Sequence, residues 1–228
     1  MKKQTKATLI ALAIAGVAAT SHAAAYNNDL IIGFSSTTGN DLLYDLGSFG
    51  SLTPGKTWDL SSLLGSYNLS TVNWGVIGNT SVNGGNRTIY TTFNGTPATV
   101  GAGTGSGINT ATLSLYNNNF TTAGAGQFAQ VSATDDNSWN HQTINPTTDS
   151  DYVTAYENPN RGGTGAINFY SAKANSTDPV QDQFFTLDSS GIVTFGTAAV
   201  PEPSTYGLFA GAGLLAVCLR NQFRRKQA

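Results

Sequence analysis

The sequence predicts a mainly β protein: an antiparallel β-sandwich or jelly-roll-like single domain with one or two short helices, a signal peptide ahead of it and a single transmembrane helix behind it. Three observations carry this prediction. Charged residues make up only 11% of the chain, against about 25% in an average globular protein, which disfavours long solvated helices. Gly, Asn, Thr and Ser take their place, and these types suit turns and strands. Apolar residues fall in short runs bounded by turn signals rather than in helical stripes.

At the N terminus, Lys2, Lys3 and Lys6 precede an apolar run from Ala7 to Ala19. Ser21, Ala23 and Ala25 then offer A-x-A-like cleavage after Ala23 or Ala25, completing a secretory signal. Residues 1–25 are assigned to this signal, for the secretion translocon and signal peptidase. Residues 26–199 are assigned to one extracytoplasmic β-rich domain, a length that a single core can serve.

Within that body, Leu30–Phe34 and Leu42–Leu46 are expected as strands of an opening hairpin. Asp59 is placed to cap a short helix carrying Leu60, Leu63 and Leu64 on one face, with Gly65 as its stop. Val72–Ile77 and Arg87–Phe93 are expected as strands joined through the Asn83–Gly85 turn. The Gly101–Gly107 run is expected as a loop, and Ile108–Phe120 is open between helix and strand. Tyr152–Tyr156 and Ala166–Ala172 follow as strands, and Phe184–Leu187 with Ile192–Phe195 as a hairpin. The expected core residues are Trp58, Trp74, Phe93, Phe169, Phe184 and Phe195.

The body holds four cations, Lys56, Arg87, Arg161 and Lys173, against twelve carboxylates, a net charge of −8. Nucleic acid is a poor partner for such a surface, and cations or neutral glycans suit it better. Cys218 is the only cysteine and lies in the C-terminal apolar run, so the body has no internal disulfide and no thiolate metal cluster.

At the C terminus, Pro201-Glu202-Pro203 is followed by the apolar run Tyr206–Leu219 and then by Arg220, Arg224, Arg225 and Lys226. Two prolines hold the peptide extended, as a processing enzyme needs it. The cationic tail stays cytoplasmic by the positive-inside rule, placing the body outside. Fourteen residues at about 1.5 Å each span about 21 Å, short of a hydrocarbon core of roughly 30 Å, which suits a transient stop better than a durable anchor.

This ending resembles the PEP-CTERM sorting signal of exported bacterial proteins. The resemblance covers residues 200–228 and implies that exosortase recognises Pro201, Glu202 and Pro203 and processes the C-terminal segment. It further implies that Tyr206–Leu219 is the membrane helix, that Arg220 to Lys226 stop transfer, and that the protein serves in an exopolysaccharide-rich setting. The stretch from Leu30 to Gly78, with its Trp58-Asp-Leu and Asn73-Trp-Gly-Val76 landmarks, is similar to bodies found ahead of such signals.

Motifs for chemistry are few. Gly50–Thr57 matches the phosphate-loop pattern G-x-x-x-x-G-K-[ST] letter for letter, but Gly65 cuts off the helix such a loop needs and no apolar strand ends in a magnesium-binding Asp. His141 is the sole histidine of the mature body, without a Gly-x-Ser-x-Gly elbow for a hydrolytic triad. Asp135, Asp136, Asp149 and Asp151 offer oxygen ligands of the kind Ca²⁺ takes, without the EF-hand spacing. Six N-x-[ST] triplets follow from an Asn/Thr/Ser-rich composition.

The expected function is therefore that of an exported, non-catalytic cell-surface or extracellular-matrix protein without a cofactor. It would be anchored in the inner membrane before exosortase processing and then associate with exopolysaccharide or biofilm. The alternative is a carbohydrate-binding module, with Trp139 and His141 as ligand contacts. A secreted hydrolase would require Asp149, Asp151, Glu157 or His141 to meet in one cleft.

Overall fold

A computed structural model describes residues 26–36, 39–80, 87–94, 102–122, 124–144, 159–173 and 180–196. The expected signal peptide, the Asn83–Gly85 turn, the Tyr152–Tyr156 strand and the whole C-terminal segment lie outside these residues. Among the described residues no helix is long and apolar enough to cross a membrane.

The strands are β1 (Asp29–Ser35), β2 (Asn40–Ser48), β3 (Thr57–Asp59), β4 (Asn73–Asn79), β5 (Thr88–Phe93), β6 (Phe128–Ser132), β7 (Arg161–Gly162), β8 (Gly165–Lys173), β9 (Val180–Leu187) and β10 (Ile192–Gly196). All pair antiparallel in one ten-stranded sheet of order β3-β10-β9-β8-β5-β4-β1-β2-β6, with β7 beside β4. The mainly antiparallel β class thus holds. The sheet curls into a half-barrel, and among the described residues there is no second sheet to complete the expected sandwich or jelly roll.

Strand alternation sends side chains to two different cores. On the inner face Leu30, Ile32 and Phe34 of β1 join Trp74, Val76, Phe169, Phe185, Val193 and Phe195. The segment joining β2 to β4 folds over this face with Phe49, Leu52, Leu60 and Leu64. Some aromatic pairs meet edge to face, Phe169 and Phe185 at 5.1 Å and Phe49 and Phe195 at 6.4 Å, while Tyr90 and Phe169 stack. Each such ring stabilises the fold by about 1.5–3 kcal/mol through burial alone.

On the outer face Ile31, Leu43, Ile77 and Ile89 meet Ile108, Ala111, Leu115, Tyr116 and Phe120. The latter set lies on α1 (Ala102–Asn119) and just after it, and its i, i+3, i+7, i+8 spacing is the helical stripe that settles the expected ambiguity. The Gly-rich stretch from 102 to 107 is the first part of this helix, a correction to the expected loop. Gly in a helix costs about 1 kcal/mol relative to Ala, so packing on the sheet rather than propensity holds α1. Asn118 and Asn119 close its end by donating Nδ2 to the carbonyls of Ser114 and Leu115.

Several local expectations are corrected. Asp59 ends β3 and caps a single turn, accepting from the Ser61 N–H at 3.0 Å, so residues 60–64 form no helix. Phe93 and Phe184 are half-buried, and Phe185 takes the core position. Trp58, Trp74, Phe169 and Phe195 are buried as expected. Lys56 is followed by strand β3 and lies 5.2 Å over the Trp58 ring, a setting unlike a phosphate loop.

Candidate functional site

Two of the polar clusters among the described residues are candidate sites, one open to solvent and one sealed. The open one is a cleft of about 350 Å³ lined by Ser36, Gly39, Asn40, Ser66, Tyr67 and Gln130. Gly39, at φ 94°, makes the turn into β2 that forms one wall. Tyr67 packs against the inner core and donates its hydroxyl to the Asn40 carbonyl at 2.7 Å. Burial pushes its phenol up to about 12, with the nearby Asp41 charge adding to the effect. The group therefore stays neutral and its ring is held in place. Gln130 comes from the edge strand β6, where it pairs with Leu42 and so points to the inner face. No lining residue is charged, so the cleft presents hydroxyls, amides and backbone to any occupant.

The sealed cluster lies beneath α1. Asp29 and Asp45 stand on the outer face, 4% and 0% exposed. The Tyr116 hydroxyl lies 3.2 Å from Asp29 Oδ2 and 3.1 Å from Asp45 Oδ2. Tyr116 has one hydrogen and can donate to one carboxylate at a time, and among the described residues no Lys or Arg pairs with either acid. Burial raises both carboxyls above their usual range, and the Asp29 charge helps carry Asp45 to about 6. Below that pH the pair retains a proton, and Asp45 also accepts from the Gly47 N–H at 2.7 Å. Tyr26 closes the flank, donating to the Asn79 carbonyl and accepting from the Asn79 N–H. A perturbed carboxyl pair is a familiar mark of catalysis. This one is buried among the described residues, away from a substrate in solution.

The residues singled out in the sequence are distributed elsewhere. Trp139 on α2 (Trp139–Thr143) is fully buried, with its Nε1 donating to Asn160 Oδ1 at 2.6 Å. Its ring fills the space above Gly33, where a Cβ would sit 1.9 Å from a ring carbon. The indole is thus a core element and corrects the expectation of an exposed stacking platform. His141 follows it on α2, its side chain 12% exposed and its Nε2 3.9 Å from Asp136 Oδ1. The nearby Ser138 hydroxyl caps α2 by accepting from the His141 N–H and donates to the Ala133 carbonyl. It is not aimed at the His141 ring as a nucleophile would be.

Asp135 forms a local turn, accepting from the Asn137 N–H at 2.8 Å. Asp136 projects into solvent, and among the described residues no three His, Cys, Asp or Glu side chains gather as metal ligands. Asp149, Asp151 and Glu157 lie outside the described residues, as do Pro201, Glu202, Pro203 and the stretch from Tyr206 and Leu219 to Arg220, Arg224, Arg225 and Lys226.

Sequence reasoning missed the cleft because β6 was not recognised as a strand. Ala129 and Val131 alternating with Gln130 and Ser132 gave only a faint period-two signal over five residues. The sealed acids had a signal too: Asp45 shares a strand face with Leu43, and Asp29 with Ile31, so both had to enter the core.

The C-terminal ending supplies the decisive comparison. A family model described as the PEP-CTERM protein-sorting motif matches residues 199–225. The chain carries a PEP-CTERM sorting signal. It is accordingly an exported protein targeted to exosortase, with a membrane-anchored sorting signal at its C terminus. No curated protein and no solved structure matches the chain.

Proposed function

We propose that this PEP-CTERM protein is a non-catalytic component of the cell surface or extracellular matrix, working in an exopolysaccharide or biofilm layer after exosortase has acted on its C terminus. The observation that carries the proposal is the sorting motif at residues 199–225. In this reading Pro201, Glu202 and Pro203 are presented to exosortase, Tyr206–Leu219 crosses the inner membrane, and Arg220, Arg224, Arg225 and Lys226 remain in the cytoplasm. The chemistry of the body supports a non-catalytic role: the acid pair is sealed, and Ser138 and Asp135 act as caps of local structure.

The test replaces Pro201, Glu202 and Pro203 together by Ala in a host that carries exosortase. The wild-type protein is expected in the extracellular polysaccharide fraction, and the variant in the inner membrane with its C-terminal segment intact. Equal distribution of the two proteins between these fractions would reject the proposal.

A second reading, a carbohydrate-binding module, is favoured by one observation, the uncharged cleft at the β2–β6 edge.

A further inference from the structure

We infer that the cleft between Tyr67 and Gln130, extended along β6 by Phe128, binds a neutral polysaccharide chain. The inference deepens the carbohydrate-binding reading by fixing the site and the charge class of its ligand. It rests on that reading and is independent of the sorting reaction.

The first ground is position. Phe128 pairs with Tyr44 and Gln130 with Leu42 across the β2–β6 ladder, and directly paired residues share a face. Tyr44 packs against the inner core and Leu42 belongs to it. Phe128 and Gln130 therefore stand on the inner face of the edge strand, two residues apart. That spacing is about 6.8 Å at ~3.4 Å per residue, on the order of one sugar ring. Phe128 is 54% exposed, and only Val180 is a comparably exposed large apolar residue among the described ones. An aromatic ring held open to water on a rigid strand, beside a polar concavity, provides a stacking surface next to hydrogen-bonding groups.

The second ground is the chemistry of the lining. Ser36, Ser66, Asn40 and Gln130 offer hydroxyls and amides that both donate and accept, matching the alternating demands of sugar hydroxyls. The absence of any lining charge argues against a phosphate or carboxylate ligand, which would be desolvated without a counter-charge. The net charge of −8 over the body adds long-range repulsion of acidic polymers. The edge position lets a chain run past the cleft without having to end in it, which suits a polymer rather than a free small sugar.

The experiment uses the full-length chain in a non-sugar detergent, run in native affinity gels containing dextran, yeast mannan or barley β-glucan, with alginate as the acidic polymer. Retardation by at least one neutral polymer is expected, with no salt-sensitive retardation by alginate. Phe128→Ala should weaken that retardation about tenfold, the equivalent of about 1.4 kcal/mol, near the top of the range for an aromatic contact. Gln130→Ala should weaken it several-fold and Phe128→Tyr should retain it. Trp58, Trp74 and Trp139 are all buried away from the cleft, so unchanged tryptophan emission verifies the fold of each variant. Should Phe128→Ala fail to fold, Gln130→Ala and Phe128→Tyr still decide the matter.

The inference is overturned if no neutral polymer retards the wild type, if both Phe128→Ala and Gln130→Ala migrate as the wild type does, or if alginate binds more strongly. It is also overturned if the wild type sediments as a dimer that Phe128→Ala dissociates, since β6 would then be covered by a second copy. Failure of sorting in the Ala variant of Pro201–Pro203 would leave the expected gel results unchanged.

Discussion

Replacing Asp45 by Asn should stabilise the protein at neutral and alkaline pH and change little in acid. Asp45 is fully buried, with one oxygen accepting from the Gly47 N–H and the other close to Tyr116 and Asp29. Its folded-state value is raised from 3.8 to about 6, first by burial and in part by the Asp29 charge. A raised carboxyl favours folding in its neutral form. Its contribution is therefore complete below about pH 4 and is lost as the pH climbs through about 6. The shift is about two units, and at 1.36 kcal/mol per unit the charged pair costs about 3 kcal/mol of stability at pH 8.

Asn keeps the shape, accepts from Gly47 through Oδ1 and donates through Nδ2 to Asp29, as a protonated Asp45 would. The assay is urea unfolding of the full-length chain in detergent at pH 4 and pH 8, followed through the three buried tryptophans. Asp45→Asn should exceed the wild type by about 2–3 kcal/mol at pH 8 and match it within about 1 kcal/mol at pH 4. A variant less stable than the wild type at pH 8, or a difference independent of pH, would refute the argument that the buried, deprotonated pair costs stability.

Three further substitutions test the packing. Gly33→Ala would push a Cβ into the Trp139 ring, and a loss of about 3 kcal/mol in urea unfolding, at the upper end for overpacking, is expected with altered near-ultraviolet dichroism. Trp139→Phe removes the buried bond to Asn160 and should cost about 1–3 kcal/mol by the same unfolding assay. Asp188 accepts from the N–H groups of Ser190 and Ile192 in the β9–β10 turn, and Asp188→Ala should lower stability by about 1 kcal/mol while leaving the dichroism spectrum unchanged.

Many of the strands were legible because the two cores draw on short apolar runs. Leu30–Phe34, Leu42–Leu46 and Phe184–Leu187 lie in strands, as does Val72–Ile77 apart from Val72, since each run is too short for a stable helix and is bounded by polar or turn-forming residues. The phase of Phe184 and Phe185 was not legible, because both are aromatic and either could face inward. The Asp188–Gly191 turn fixes the register that sends Phe185 in. Helix α1 was obscured by its Gly, Thr and Asn content, which propensity reads as loop, while its stripe from Ile108 to Tyr116 became decisive only against a sheet face needing cover. Trp139 could be read as a surface ligand contact only because Gly33, more than a hundred residues earlier, gave no sign of making room for it. The cleft depends on an edge strand of five residues, FAQVS, too short and too polar to announce itself. The sorting signal was legible at residues 199–225, where the family model matches, since proline content, hydropathy and charge are read locally along the chain and need no tertiary partner.

The account turns on what happens to residues 199–225 in the cell, and intact-mass measurement of the exported protein reads this directly. Two hosts are compared, identical except for exosortase. With exosortase present, the recovered chain should be lighter by the mass of the segment downstream of the Pro201–Pro203 region. Without it, the full C terminus through Ala228 should remain. The same mass from both hosts, with the cationic tail retained in each, would contradict the central claim.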